Sequence, residues 1–273
     1  MPKRCWARKT RKRSGERPAE FHHKQRDARP TLAGHDRRMS IQRRIAAIDW
    51  DRLAQAIDLQ GWATTGPLLA SLERDQLVAS YGDERLFRSH VVMARHGFGR
   101  GEYRYFAYPL PSLVQELRAT LYERLVPLAN RWRDALGLDE PFPAAFEQYV
   151  MRCHRAGQQR PTPLILRYEA GDYNCLHQDI YGELSFPLQA ALLLSEPGAD
   201  FTGGELVLTE QRPRMQSKAQ VVPLQAGEAV IFAVNHRPVQ GRRGTYRVAM
   251  RHGVSPLHQG QRHTLGIIFH DAA

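Results

Sequence analysis

The stretch Pro163–Ile180, which reads PLILRYEAGDYNCLHQDI, decides the fold that the sequence predicts. It contains two short segments rich in β-forming residues, Pro163–Glu169 and Cys175–Ile180, with a glycine-containing break between them. Six more segments of this kind follow, separated by glycine, proline and polar residues: Leu188–Ser195, Glu205–Thr209, Gln220–Leu224, Ala229–Val234, Tyr246–Val254 and Thr264–Phe269. Eight short strands with no helical pattern between them predict a closed or two-sheet β architecture such as a jelly roll.

The preceding part of the chain, residues 39–160, has a helical character. Apolar residues recur at helical spacing over Ile41–Ala56, Leu68–Ser80 and, most clearly, Leu113–Leu136. A sheet buries its apolar outer face by packing against another layer, so we expect these helices to cover the outer face of one sheet. The predicted fold class is therefore α+β, with a jelly-roll core over residues 161–273 and N-terminal helices packed on one sheet.

The segment Arg95–Pro109, RHGFGRGEYRYFAYP, is rich in glycine, arginine and aromatic residues. Aromatic and arginine side chains suit base stacking and phosphate contacts, which favours a lid over a nucleic-acid substrate. The same composition also fits an edge hairpin whose aromatic side chains pack on the core. The sequence supports both interpretations equally.

The bulk composition bounds the class of protein. With 273 residues, 42% of them apolar, the chain is long enough to bury one sizeable core. No apolar run reaches about 18 residues, so no membrane span is predicted. The basic start is not followed by the apolar segment of a secretory signal. Three scattered cysteines, Cys5, Cys153 and Cys175, lack metal-ligand spacing and favour a reducing, cytoplasmic location.

The net charge of +11 is concentrated at the N-terminus. Residues 1–38 hold thirteen Lys and Arg against four acids, which leaves a net charge of only +2 on the other 235 residues. A tail of this kind is usually a disordered, solvated extension, which is the interpretation that we favour. The alternative is a tether that binds DNA or RNA through phosphate contacts and counterion release.

A metal site is indicated by His177-Gln178-Asp179. On a strand, side chains alternate between faces, so a His-x-Asp sequence places both potential ligands on the same side. Two histidines and one carboxylate leave three coordination positions open, which suits a non-heme Fe(II) that must also bind a co-substrate and O₂. Since the chain has 12 histidines, a single His-x-Asp is weak support.

Other residues near His177 and near the end of the chain strengthen the metal-site prediction. His252 follows a strand-like segment and is placed to be the third ligand. Arg262, ten residues later and predicted to open the last strand, carries a planar guanidinium that can bind a carboxylate through two hydrogen bonds. Pro256 and Gly260 are expected to form a tight return between these strands. Tyr168, nine residues before His177, is expected to reach the same pocket.

Other histidines offer rival assignments. His236, with Arg247 eleven residues later, is an imperfect echo of the same spacing and remains an alternative third ligand. The pair His270-Asp271 ends the chain with no partner sequence downstream. We expect three more histidines to be surface or loop residues: His154, His258 and His263. A β-sandwich with incidental histidines is the remaining alternative.

Four blocks of the sequence resemble the signature blocks of the 2-oxoglutarate/Fe(II) oxygenases, in the same order and at similar spacing. They lie between Arg167 and Arg262 and read RYEAGDYNCLHQD (Arg167–Asp179), FTGGELVL (Phe201–Leu208), GEAVIF (Gly227–Phe232) and HGVSPLHQGQR (His252–Arg262). The resemblance implies a double-stranded β-helix and the cofactors Fe(II), 2-oxoglutarate and O₂. It also implies roles for five residues: His177, Asp179 and His252 as iron ligands, Arg262 as the partner of the distal 2-oxoglutarate carboxylate, and Tyr168 as a co-substrate contact.

Within that superfamily, the blocks around Tyr168 and His252 look most like those of the AlkB-type enzymes, which oxidatively dealkylate nucleic-acid bases. Two positions depart from the AlkB pattern. Ile268 stands where that pattern has a second arginine, and Tyr181 stands where it has an acidic residue that helps to read the base. The ten-residue interval from His252 to Arg262 is similar to that of the prolyl-hydroxylase branch.

Three functional hypotheses follow from the sequence. The first is oxidative dealkylation or hydroxylation of nucleic-acid bases, as in DNA repair or base modification, with DNA or RNA bound through the lid and the basic tail. The second is hydroxylation of a protein side chain or a small molecule. The third is a catalytically inactive nucleic-acid-binding β domain, which the intact set of three potential ligands disfavours. Oligomeric state is not indicated by the sequence.

Overall fold

The computed structural model describes residues 39–273, so the predicted basic tail, residues 1–38, lies outside the described residues. Five α-helices form within them: α1 (Ile41–Ala46), α2 (Trp50–Gln60), α3 (Ser71–Ser80), α4 (Ser112–Ala135) and α5 (Phe146–Arg155). None of these helices is both long enough and apolar enough to cross a bilayer. The fourteen strands are β1 (Trp62–Pro67), β2 (Phe87–Val92), β3 (Gly99–Arg100), β4 (Glu102–Phe106), β5 (Leu164–Glu169), β6 (Tyr173–His177), β7 (Leu188–Leu193), β8 (Phe201–Gly203), β9 (Leu206–Gln211), β10 (Lys218–Val222), β11 (Glu228–Ala233), β12 (His236–Gly241), β13 (Gly244–Val254) and β14 (Leu257–Ile267).

The N-terminal helices begin and end at residues with recognisable capping chemistry. The predicted helix over Ile41–Ala56 is two helices, because the Asp49 side chain accepts a hydrogen bond from the backbone N–H of Arg52 and starts α2 anew. Gly61 ends α2 in the left-handed conformation, at a φ of 87°. The longest helix lies within one residue of its predicted bounds, whereas α5 is not predicted.

The strands form two sheets in which every strand pairing is antiparallel. The eight-stranded sheet has the order β1-β11-β7-β14-β5-β4-β2, with β8 paired to β14. The six-stranded sheet has the order β10-β9-β13-β6-β3, with β12 paired to β13. The chain passes from one sheet to the other between β13 and β14, so His252 and Arg262 belong to different sheets.

Residues 39–160, predicted to be a helical region with a possible lid or edge hairpin near Arg95–Pro109, also contain four strands. β1 pairs with β11, β4 pairs with β2 and β5, and β3 pairs with β6. Each of these strands is short, and all the pairings except that of β2 with β4 join strands that are far apart in the sequence. Long-range pairing of this kind overrides local propensity, which is why the sequence pattern did not reveal it.

The apolar core lies in two layers, one on each face of the eight-stranded sheet. Helical residues such as Leu121 pack with Ile231 of β11 on one face. On the other face Phe232, the next residue of β11, packs with Leu208 of β9 between the two sheets. All six residues of β11 are buried, which explains why its sequence is continuously apolar after Glu228. The helices therefore pack on the eight-stranded sheet, as predicted, and also on the β12–β13 hairpin of the other sheet.

The last strand begins earlier than predicted. β14 starts at Leu257, so Arg262 is its sixth residue and does not open it. Gly260 lies inside β14 and not in the return, at a φ of 80°. A Cβ atom there would approach the Asp200 carbonyl oxygen to 1.9 Å, so glycine is required by close backbone contact with the residues next to β8.

Candidate metal and co-substrate site

The three predicted metal ligands lie together between the two sheets. His177 at the end of β6 faces His252 of β13 directly across the antiparallel register, with ring centroids 4.2 Å apart. Asp179 follows two residues after His177, and Gln178 between them points away and donates to the Met250 carbonyl at 2.8 Å. The candidate ligand atoms of His177, Asp179 and His252 all lie within 4.8 Å of one another.

The carboxylate of Asp179 is held by hydrogen bonds on both oxygens. Tyr181 donates its hydroxyl hydrogen to Oδ1 at 2.7 Å, and Tyr105 in turn donates to the Tyr181 oxygen at 3.0 Å. Gln189 of β7 donates from Nε2 to Oδ2 at 2.9 Å. The same Nε2 lies 3.2 Å from His252 Nε2. One carboxylate oxygen is therefore fixed by Tyr181, two residues further along the chain, and the other by Gln189 of β7.

Both imidazoles present Nε2 to the carboxylate. His177 donates from Nδ1 to the Cys175 carbonyl at 2.7 Å, which leaves its Nε2 3.5 Å from Asp179 Oδ1. His252 Nε2 lies 3.2 Å from Asp179 Oδ2, and its ring packs on Phe232 with centroids 4.7 Å apart. Such a set, with two imidazole nitrogens and one carboxylate on one side, has the donor chemistry of a facial triad.

The electrostatics of the cluster favour a charged carboxylate. Burial raises the pKa of Asp179, but hydrogen bonds and charge from His177 and His252 outweigh it and hold that pKa well below its usual range. Burial and the charge of His177 lower the pKa of His252. Burial lowers the pKa of His177 as well, but the hydrogen bond and charge of Asp179 outweigh it and raise that pKa, so a divalent cation would displace a proton from His177 and find Asp179 ionised and His252 neutral.

Arg262 is a buried cation beside this cluster. It is 3% exposed, its Nη1 donates to Thr264 Oγ1 at 2.7 Å, and its Nε has no partner among the described residues. No carboxylate in residues 39–273 lies within ion-pair distance of it, and burial lowers its pKa. A buried charge without a direct ion-pair partner is costly, and Glu205 acts on this guanidinium only from beyond ion-pair distance, so the site suits an anion bound in the cavity.

Tyr168 stands directly opposite Arg262 in the register of β5 and β14. Its side chain is buried, its ring lies 5.7 Å from the Arg262 guanidinium carbon, and its hydroxyl accepts from Asn174 Nδ2 at 3.4 Å. Burial raises the pKa of Tyr168, so the hydroxyl stays protonated and can donate a hydrogen bond.

One cavity of about 390 Å³ joins the cluster and the cation. Its walls include the three candidate ligands, Arg262, Tyr168 and Gln189, together with the aromatic rings of Tyr103, Tyr105 and Tyr181. Gly97 and Phe98 lie at its mouth, where Phe98 stacks on His96 with centroids 5.3 Å apart. Residues of Arg95–Pro109 therefore form part of the cavity wall, and Glu102–Phe106 is strand β4, next to the edge strand β2.

The rival histidines do not join the cluster. His236 lies in β12 opposite Ala249, so the alternative third ligand is wrong. His263, expected at the surface, is buried in β14, and burial lowers its pKa to about 4. His154 lies in α5, half-buried, with Nε2 2.8 Å from Asp271 Oδ2. His258 is exposed, as predicted.

Several residues of the site were missed by sequence reasoning. Gln189 is the clearest, and the available signal was one polar residue inside the apolar run LQAALLL of β7. Tyr105 and Asn174 carry no such signal, because their place depends on pairing between distant strands. The sequence shows Tyr181 only as a departure from the AlkB pattern. In the structure it contacts the candidate ligand Asp179 directly.

Comparisons with known proteins agree with this geometry. A protein of Mycobacterium tuberculosis, named only as uncharacterized in strains H37Rv and CDC 1551, is 45% identical over 168 residues, which are 62% of this chain and 72% of that protein. A prolyl hydroxylase of Trichoplax adhaerens, solved with a hypoxia-inducible-factor peptide, has a TM-score of 0.51 at 15% identity and covers 85% of this chain and 92% of its own.

The non-heme alpha ketoglutarate dependent epimerase SnoN from nogalamycin biosynthesis has a TM-score of 0.50 at 14% identity, covering 80% of this chain and 82% of its own. At such low identity these two structures show a common fold. Residues 101–272 match the family Oxygenase-NA, described as oxygenases catalysing oxidative methylation of damaged DNA. The match covers more than half of the chain, which therefore belongs to the Oxygenase-NA family, and the predicted class of 2-oxoglutarate-dependent dioxygenase is confirmed.

Proposed function

We propose that His177, Asp179 and His252 hold Fe(II) in a double-stranded β-helix made of the two sheets. The donor set supports this proposal, because both Nε2 atoms and a fixed carboxylate converge within 4.8 Å. The Cys175 carbonyl sets the tautomer of His177, and Tyr181 and Gln189 orient Asp179, as outer partners of metal ligands commonly do.

We further propose that Arg262 binds the distal carboxylate of 2-oxoglutarate and that the Tyr168 hydroxyl donates to the same co-substrate. The observation that carries this proposal is a buried guanidinium with no carboxylate partner in residues 39–273, in the cavity that also holds the triad. A dicarboxylate would supply the missing counter-ion and leave its other end beside the metal.

When bound, iron and 2-oxoglutarate supply the oxidising chemistry, in which O₂ is consumed and succinate, CO₂ and a hydroxylated substrate are formed. The side chains of the protein hold the metal and the co-substrate in position. Arg262 and Tyr168 fix the co-substrate, Asp179 and the two histidines fix the metal, and Phe232 and Leu206 keep the surroundings apolar. Exclusion of water strengthens each of these interactions.

For the substrate, we propose an alkylated base of a nucleic acid, which would be oxidised on its alkyl group. The aromatic wall supports this choice, because the rings of Tyr103, Tyr105 and Tyr181 offer flat surfaces to a planar base. Phe98 at the mouth is 47% exposed and suits stacking of a neighbouring base, so we assign Arg95–Pro109 as a lid. Hydroxylation of an N-methyl group would release formaldehyde and the free amine.

The prediction of a cytoplasmic location also stays a proposal. Cys153 and Cys175 are both free thiols, which suits a reducing compartment. For residues 1–38 a tether to nucleic acid stays the alternative to the solvated extension that we favour, and deleting these residues distinguishes the two.

The experiment has two stages. Anaerobic addition of Fe(II) and 2-oxoglutarate should give a visible charge-transfer band that His177→Ala abolishes. His236→Ala, which changes a histidine outside the cluster, should leave the band intact. A band that survives in His177→Ala refutes the iron assignment.

The second stage identifies the substrate. Formaldehyde and succinate should form together from N-methylated single- or double-stranded oligonucleotides, with residues 1–38 present or deleted. Hydroxylation of proline in peptides is the second candidate, favoured by the ten-residue interval from His252 to Arg262. Succinate that forms only with peptide substrates would replace the first proposal by the second.

A further inference from the structure

The β12–β13 hairpin has two very different faces. On its inner face Val239 and Tyr246 pack against the helical core, and Val248 and Met250 are buried. The outer-face residues of β13 alternate with these and include two exposed arginines, Arg247 and Arg251, as the period of two requires. The inner packing therefore holds the outer face in a fixed position.

Positive charge on this outer face is not compensated. Between Glu210 and Asp271 the sequence contains one acidic residue, Glu228, which is buried and accepts from the Gly66 backbone N–H. Four arginines of the hairpin are exposed and form no ion pair within residues 39–273: Arg242, Arg243, Arg247 and Arg251. By contrast, the buried Arg237 of the same hairpin is neutralised by Glu210 at 2.5 Å.

The hairpin also projects. β9 pairs with β13 only as far as Ala249, so the part of β13 before that residue extends beyond β9. On its other side β13 pairs first with β12 and then, at His252, with β6, whose residues line the cavity. β13 therefore carries the arginines on its outer face and, at His252, a residue that lines the cavity on its inner face.

We propose that the outer face of the β12–β13 hairpin binds the phosphate backbone of the nucleic acid whose base enters the cavity. The proposal rests on the proposed function for the choice of polyanion. Arg247 and Arg251 are four residues apart, about 13 Å at 3.3 Å per residue. This distance matches the axial rise of about four nucleotides in one strand of B-form DNA. Arg242 and Arg243 extend the contact at the turn.

The test is binding without turnover. The full chain and Arg247→Gln/Arg251→Gln are titrated against labelled, unmodified single-stranded and duplex oligonucleotides by fluorescence anisotropy over a range of salt concentrations. Residues 1–38 are present in both proteins and contribute equally. The matched control is Arg43→Gln/Arg124→Gln, which removes two exposed arginines on α1 and α4.

Each lost phosphate contact lowers the slope of log K against log salt by about 0.9 for duplex and about 0.7 for single strands. For Arg247→Gln/Arg251→Gln we therefore expect the slope to fall by about 1.8 with duplex and about 1.4 with single strands. The fall should be the same for unrelated nucleotide sequences, and the control pair should not change the slope. An unchanged slope in the hairpin variant overturns the proposal, as does equal competition by polyglutamate of matched charge.

Folding is checked by thermal unfolding and by the anaerobic Fe(II)/2-oxoglutarate band, both of which should match wild type because the arginines are exposed. The two proposals fail separately. An unchanged slope together with formaldehyde release from methylated oligonucleotides would refute the hairpin surface and leave the proposed function standing. A reduced slope with turnover only on peptides would refute the proposed function and leave a nucleic-acid-binding surface.

Discussion

Replacing Arg262 by methionine separates co-substrate binding from folding. The side chain is 3% exposed and contacts Thr264, but no carboxylate of residues 39–273 pairs with it. If its counter-ion is 2-oxoglutarate, the variant loses affinity for the co-substrate without losing stability. If Arg262 served a structural ion pair instead, the variant would lose stability and keep its affinity for 2-oxoglutarate.

The magnitude follows from the burial of the site. Removing one partner of a buried ion pair costs about 3–5 kcal/mol, which is about 100- to 4000-fold in the dissociation constant. The metal and Tyr168 retain their contacts with the co-substrate, so we expect the lower part of this range. The free energy of unfolding of the free protein should be unchanged or higher, because a buried, unpaired charge is removed.

Two matched variants make the result interpretable. Arg167 lies on β5 next to Tyr168, but it is outside the cavity and pairs with Glu102 at 2.8 Å, so Arg167→Met should leave co-substrate affinity unchanged. Arg237 is as buried as Arg262 but is paired with Glu210, so Arg237→Met should lower the free energy of unfolding by about 3–5 kcal/mol.

The assays are calorimetric titration of 2-oxoglutarate into the anaerobic Mn(II)-loaded protein and urea unfolding of the metal-free protein. Two outcomes would refute the reasoning. One is an Arg262→Met affinity within threefold of wild type. The other is a loss of stability as large as that of Arg237→Met, which would mean that Arg262 serves the fold.

Three other predictions concern the surroundings of the site. Tyr181→Phe should weaken Mn(II) binding about 10- to 100-fold in calorimetry, because the hydrogen bond that orients Asp179 is lost, and an unchanged affinity would contradict this role. His263 and His270 are buried with pKa values of about 4, below the ordinary 6.5. The unfolded chain therefore binds protons that the folded protein does not, so stability should be full above pH 6.5 and fall towards pH 4, by on the order of 2 kcal/mol per histidine between pH 7 and pH 5. Urea midpoints against pH test this, and His263→Gln should flatten the curve. Asp271→Asn should lower the free energy of unfolding in urea by about 3–5 kcal/mol, because it leaves the buried guanidinium of Arg118 unpaired. A loss below about 1 kcal/mol would show that the Arg118–Asp271 pair is dispensable.

The residues of the candidate metal site were predictable because their signals are local. His177 and Asp179 lie two positions apart, so the expected strand periodicity put them on one side, and they do lie together although β6 ends at His177. His252 and Arg262 could be assigned from the blocks around them. Their separation into different sheets could not, because the passage between β13 and β14 depends on the pairing of both strands with distant partners.

The rest of the site depends on register. Gln189 reaches Asp179 only because β7 lies beside β14 in the eight-stranded sheet, and Tyr105 reaches Tyr181 only because β4 pairs with β5. The chain carries no local signal for either pairing. Gly260 shows the same limit. A glycine is needed there because the backbone passes close to the Asp200 carbonyl, and not because of the predicted turn between the strands.

Strand β13 connects the two proposed functions. His252 points between the sheets toward the metal cluster, while Arg251, the preceding residue, points outward on the proposed phosphate surface. Side chains alternate between the two faces of a strand, so the register that turns His252 inward also turns Arg251 outward. The pairing of His252 with His177 sets that register. Selection for the metal site therefore also fixes which arginines of β13 face solvent, so a phosphate-binding face can be acquired by substitution at outward positions without disturbing the ligand beside them.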